Sequence, residues 1–153
     1  MPNAPEFDVA AAHKYFSADC FNRAWDLMDK PVRSAEEDRL LVLLNQASLY
    51  HWSQRPDNND KSQSIGYWQA SRIQSLQCNA VEAKRYADIC LEYSRALEPF
   101  YLGYAYEALA RAARLAGDTL QYEKYLSEAK KLAQKVTSQE DRDALLKDLA
   151  GMK

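Results

Sequence analysis

Short polar residues suited to closing off a helix recur along this chain, and each stands before apolar side chains spaced three and four apart. Asp8, Ser34, Asn79, Asp118 and Ser138 are the five such positions. The hydroxyl, carboxylate or amide oxygen of such a residue accepts from an orphan backbone N–H of the first turn, and the 3–4 spacing puts the apolar groups on one face. The pattern is most economically met by helices in series. Four glycines and five prolines in 153 residues are too few to punctuate a turn-rich β protein.

The spacing predicts a first helix from Asp8 to about Met28, with Val9, Ala12, Phe16, Cys20, Ala24, Trp25 and Met28 on its stripe, a bend near Ser17, and Pro31 as its stop. Ser34 and Glu37 form a capping box for a second helix over 35–54, whose apolar residues spread beyond one stripe. Pro56 to Asp60 is the plainest loop. A third helix is expected over 61–77 and a fourth from Ala80 to about Ala96, its stripe running on to Leu97. Pro99 suits the first turn of a fifth helix, and Gly117 ends it as a left-handed cap. A sixth helix follows Asp118 with its stripe reaching Val136, and a short seventh follows Ser138. Connections of about two to six residues imply sequential antiparallel packing. Residues 1–7 are expected to be a flexible lead-in and 8–150 a single helical domain.

Charge and composition narrow the functional classes. The formal charge is −2, and the basic pairs Lys84-Arg85 and Lys130-Lys131 are isolated among acidic residues, so no nucleic-acid footprint is expected. No apolar run reaches membrane-spanning length and the N-terminal residues do not resemble an export signal, so a soluble, cytoplasmic protein is expected. The cysteines are three, Cys20, Cys78 and Cys90, without a C-x-x-C pair, which argues for reduced thiols. His13 and His51 are the only histidines, too few for a recognisable ligand set, and no metal or other cofactor is expected. Cys90 falls on an apolar stripe and reads as a small core residue, while Cys78 lies beside a turn.

Residues 116–129, with Gly117, Asp118, Leu126 and Ala129, resemble the second-helix signature of tetratricopeptide-type (TPR-like) repeats, with Tyr106 near the usual aromatic of the partner helix and Tyr122 where a small residue is usual. The third-to-fifth and fourth-to-sixth helix spacings, about 35 residues each, fit the length of such a unit. The stretches 46–52, 66–72 and 104–112 are similar to those of a set of bacterial all-helical proteins of the same layout without an established activity. The resemblance implies about seven antiparallel helices stacked as hairpins into a right-handed superhelix, and it implies a fold only.

In such stacks the first helix of each hairpin lines a concave groove, here the third and fifth helices. Trp68 and Arg72 share a face at i, i+4, as do Glu107 and Arg111, with Tyr104 one turn earlier. These five, with His51 and Trp52 at one edge, are the expected binding residues for a protein or peptide partner. The competing reading makes Trp68 a core residue covered by Arg72, the cluster of Trp68, Arg72, Tyr104, Glu107 and Arg111 a buried polar network between helices, and His51 a helix-end histidine bonded to a backbone carbonyl. A pocket for a small molecule or small enzyme, using His51, Glu107 and Arg111, is the alternative, and a homodimer formed through exposed aromatics is the third. No catalytic residue is expected.

Overall fold

In a computed structural model residues 3–152 are described, and they contain seven helices and no strand: α1 (Val9–Met28), α2 (Ala35–Ser53), α3 (Asp60–Leu76), α4 (Ala80–Ser94), α5 (Pro99–Leu115), α6 (Thr119–Ala133) and α7 (Gln139–Ala150). Residues 3–7 are irregular and exposed; Met1 and Pro2, the rest of the expected lead-in, lie outside the described residues. The chain forms two compact units that divide between Asn59 and Asp60.

The first unit is the hairpin of α1 and α2. Asp8 accepts from the Ala11 N–H, and Ser34 and Glu37 complete the expected capping box. The helix α1 runs unbroken through Ser17. That side chain is fully buried, its hydroxyl donating to the Lys14 carbonyl at 2.9 Å. Ser48 of α2 donates to the Ser17 carbonyl at 2.7 Å. Two small serines therefore let the helix backbones approach closely while leaving no polar group unbonded.

The second unit holds α3 to α7, and its plan is a repeat. Asp60 and Pro99 open α3 and α5, 39 positions apart; Ala80 and Thr119 open α4 and α6 at the same offset. The helices match in length, 17 residues for α3 and α5 and 15 for α4 and α6. The expected spacing of about 35 is therefore short by about a turn: both first helices are long, and the connection into the next hairpin adds four residues, 95–98. The apolar stripes of the fourth and sixth helices run past the helix ends. Leu97 and Val136 lie beyond Ser94 and Ala133, in the connections, with Val136 buried. Periodicity alone does not distinguish a last helical residue from a loop side chain tucked beneath the helix.

Each hairpin closes through the same turn. Asn79 N–H bonds to the Gln74 carbonyl at 2.9 Å and Cys78 N–H to Ser75 at 3.1 Å; Asp118 N–H bonds to Ala113 at 2.9 Å and Gly117 N–H to Arg114 at 3.0 Å. These are the paired bonds of a Schellman cap. Asn79 and Asp118 then cap the following helices by accepting from Glu82 and Gln121. The left-handed residue is Gly117 in one turn, φ +75°, and Cys78 in the other, φ +58°. Gly117 is the expected cap; the left-handed Cys78 was not legible, because a side chain there costs about 1 kcal/mol.

The tyrosines repeat too. Tyr67 and Tyr86 pair across α3 and α4 with ring centroids 6.2 Å apart, and Tyr106 and Tyr125 pair across α5 and α6 at the same 6.2 Å. Alanines at 83, 87, 108, 110, 112, 129 and 133 are buried and allow close helix approach. The last helix packs on α5 and α6, burying Leu145 and Leu149. No helix among the described residues is long and apolar enough to cross a membrane.

Candidate functional site

The 39-residue offset places Trp68 of α3 and Glu107 of α5 at equivalent positions on neighbouring helices, and likewise Arg72 and Arg111. Trp68 donates its indole N–H to Glu107 Oε2 at 2.8 Å. Arg111 donates Nε–H to Glu107 Oε1 at 2.9 Å, and its Nη2 closes the same ion pair. Both carboxylate oxygens are thus engaged, and Glu107 is 0% exposed. A buried carboxylate is tolerable only with such partners, and here they come from its own helix and from the preceding first helix, α3. Together with the Trp68 bond, the Glu107–Arg111 pair makes a brace between α3 and α5.

Around this brace lie the other expected residues. The Tyr104 ring edge meets Trp68 with centroids 5.6 Å apart, and Phe100 abuts Tyr104 at 5.0 Å. The Tyr104 hydroxyl donates to Asp148 Oδ2 of α7 at 2.7 Å. Burial, and then that bond to an anionic acceptor, push the phenol well above its ordinary range. Arg72 is half-buried. Its burial first, and then the like charge of Arg111, hold its guanidinium below the ordinary value, against the pull of Glu107 and Asp148. So Trp68, Arg72, Tyr104, Glu107 and Arg111 are brought together as expected. Asp148 completes the cluster and was not legible in advance, since 44 positions separate it from Tyr104.

His51 and Trp52 belong to the first unit. His51 Nδ1 lies 2.8 Å from His13 Nδ1, so one imidazole donates and the other accepts. Phe16 and Tyr50 flank His51, with ring centroids 5.5 and 5.4 Å away. The partner of the side chain is thus another histidine ring and not the backbone carbonyl of the competing reading. Burial, then His13, pull the His51 pKa below its ordinary value. Over the Trp52 ring sits Arg55, 3.7 Å from its centroid. Arg55 also donates to Asp57 at 2.8 Å and to the Ser17 hydroxyl at 2.8 Å, fixing the residues after α2 against α1.

An open depression of about 350 Å³ is lined by Arg72, Ser75, Arg111, Arg114 and Leu115. Sequence reasoning passed over Ser75 and Arg114, although both follow an arginine of the cluster by three positions. A second depression, about 420 Å³, lies among α4, α5 and α6 and is lined by groups such as Val81, Leu109, Ala112 and Tyr125. Cys90 is fully buried against Ser64 and Ser94, and burial pushes its thiol up to about 11, while Cys78 is exposed. Among the described residues no three His, Cys, Asp or Glu side chains are grouped as a metal site would need.

No protein-family model, curated protein or solved structure matches this chain.

Proposed function

We propose that the chain is a TPR-like module that binds a protein or peptide partner on the shared face of α3, α5 and α7. One observation carries this reading. The Trp68–Glu107–Arg111 brace is buried and fully bonded, yet the side chain beside it, Arg72, takes part in none of the hydrogen bonds or ion pairs among the described residues. A guanidinium has five N–H donors, and those of Arg72 open into a surface depression with no acceptor from the protein among the described residues, so a ligand can take them. Tyr104 and Phe100 extend the same face with aromatic surface, which contributes contact area at low entropic cost.

The test is selection of peptides from a display library against the intact protein, followed by affinity measurement on Arg72→Ala. A loss of about tenfold or more, with an unchanged thermal melt, supports the face. Peptides that bind both proteins equally argue against it.

The small-molecule reading loses one of its contacts, because Glu107 has no free carboxylate oxygen and its side chain is 1% exposed. Self-association has an observation in its favour. In the first unit Phe7, Tyr15, Leu43 and Tyr50 are exposed at 65, 62, 66 and 58%. Sedimentation at rising concentration, with Leu43→Lys as the comparison, tests it: a single monomeric species throughout removes the homodimer.

A further inference from the structure

We infer that the depression between α3 and α5 is a binding subsite for a phosphate group, formed by Arg72, Ser75, Arg111 and Arg114. The inference rests on the reading of this face as a binding surface and names the chemistry it takes. The repeat builds the subsite. Arg72 and Ser75 stand three apart on α3, and their equivalents Arg111 and Arg114 stand three apart on α5, so the four line one depression from two neighbouring helices.

Three facts converge. The Ser75 hydroxyl oxygen is buried and has no hydrogen-bond partner among the described residues. Arg72, which lines the same depression, has no hydrogen bond or ion pair among the described residues. The two arginines lie close enough for Arg111 to disfavour the charge of Arg72, an arrangement that an anion between them would relieve. Glu107 and Asp148 pull the other way through their charge, but neither hydrogen-bonds Arg72, and both Glu107 oxygens are taken by Trp68 and Arg111. Arg114 is anchored through the Met152 carbonyl, which holds its head at the rim. A carboxylate presents two oxygens and is satisfied by one bidentate arginine. Three guanidinium groups and a hydroxyl around one depression match the several acceptor oxygens and the charge of a phosphate better.

The group has two possible sources, a phosphorylated side chain of the partner or a free phosphate ester, and the probes separate them. Inorganic phosphate, O-phosphoserine and a phosphoserine peptide with its unphosphorylated counterpart are titrated into the full chain, following heat and the arginine Nε–Hε resonances. The expected result is saturable binding of inorganic phosphate that shifts Arg72 and Arg111, weakened at least about tenfold by Arg72→Gln and several-fold by Ser75→Ala. Ser75→Asp, which tethers a carboxylate in the depression, abolishes phosphate binding while the protein stays folded. Tighter binding of the phosphopeptide than of phosphate assigns the group to a partner; equal binding assigns it to a free ester. Absence of Arg72 shifts at saturating phosphate, or equal binding by Arg72→Gln, overturns the subsite. If selected peptides still require Arg72 while phosphate fails to bind, the binding face stands and the phosphate subsite falls; the reverse result separates them the other way.

Discussion

The hairpins α3–α4 and α5–α6 have the same helix lengths, the same closing turn and the same tyrosine pair, yet they fill their interfaces with different chemistry. In the first, Ser64 and Ser94 bond hydroxyl to hydroxyl at 2.7 Å, Cys90 donates to the Ser64 carbonyl at 3.3 Å, and Ser71 donates to the Ala83 carbonyl at 2.7 Å. At the positions equivalent to Ser64, Ser71, Cys90 and Ser94, the second has Gly103, Ala110, Ala129 and Ala133. What the backbone geometry requires is small volume at the crossing; polarity is optional provided every hydroxyl finds a partner. For the first helices, Ser64 and Ser71 of α3 against Gly103 and Ala110 of α5, the contrast follows from position. Within the unit α3 packs on α4 and α5, whereas α5 packs on α3, α4, α6 and α7. A more surrounded helix has less room and fewer free acceptors, and its small residues are accordingly glycine and alanine.

The brace is a buried polar contact between the two hairpins, and removing it is the largest effect expected. Glu107→Ala leaves the Trp68 N–H without its acceptor and Arg111 without its anion. Because Arg111 retains access to water, the loss should be about 2 kcal/mol rather than the full cost of an isolated buried charge, measured by urea unfolding. Unchanged stability would mean that the hairpins do not rely on this contact.

Next comes Gly103→Ala. A Cβ there would lie 2.7 Å from Leu145 Cδ2, and Leu145 is fully buried. Overpacking should outweigh the helix propensity gained and cost about 1 kcal/mol net. Substitution at the equivalent position of the first hairpin, Ser64→Ala, should instead lose the hydroxyl contacts to Ser94 and the Cys90 thiol. A neutral Gly103→Ala would show that α7 is free to shift.

The two turns make a reciprocal test. A Cβ at Gly117 meets nothing within 4 Å, so Gly117→Ala reports the left-handed backbone alone and should destabilise by about 1 kcal/mol. At Cys78 the strain is already present, and Cys78→Gly should stabilise by up to about 1 kcal/mol, read as a rise in Tm. If both substitutions destabilise, the turns are not equivalent.

The smallest effect falls outside both hairpins. The first unit has no 39-residue counterpart, and its distinctive element is the His13–His51 pair. The folded-state pKa of His51 lies below 6.5, so the unfolded chain takes up that proton first. Stability from this group is complete above pH 6.5 and declines as the pH falls from there toward the folded-state value. His51→Gln should flatten the pH dependence of Tm over that interval; an unaltered slope would assign it to other groups.

Some of this organisation was legible in the residues and some was not, and the division has a physical basis. Capping is local, so Asp8, Ser34, Asn79, Asp118 and Ser138 mark helix starts correctly within their own few residues. The ends of α4 and α6 misled because Leu97 and Val136 continue the apolar rhythm after the helix has stopped. At the candidate site the i, i+4 partners Trp68 with Arg72 and Glu107 with Arg111 were visible, being consequences of one helix each.

By itself, then, the sequence determined helices, their caps, and the chemistry that each helix carries. Only the tertiary structure decided that Glu107 is buried, that Asp148 receives the Tyr104 hydroxyl, that His51 meets His13, and that Arg72 and Ser75 have no hydrogen-bond partner among the described residues. Those facts depend on contacts 38 to 44 positions apart, whereas the rules that read a sequence extend only a helical turn or two.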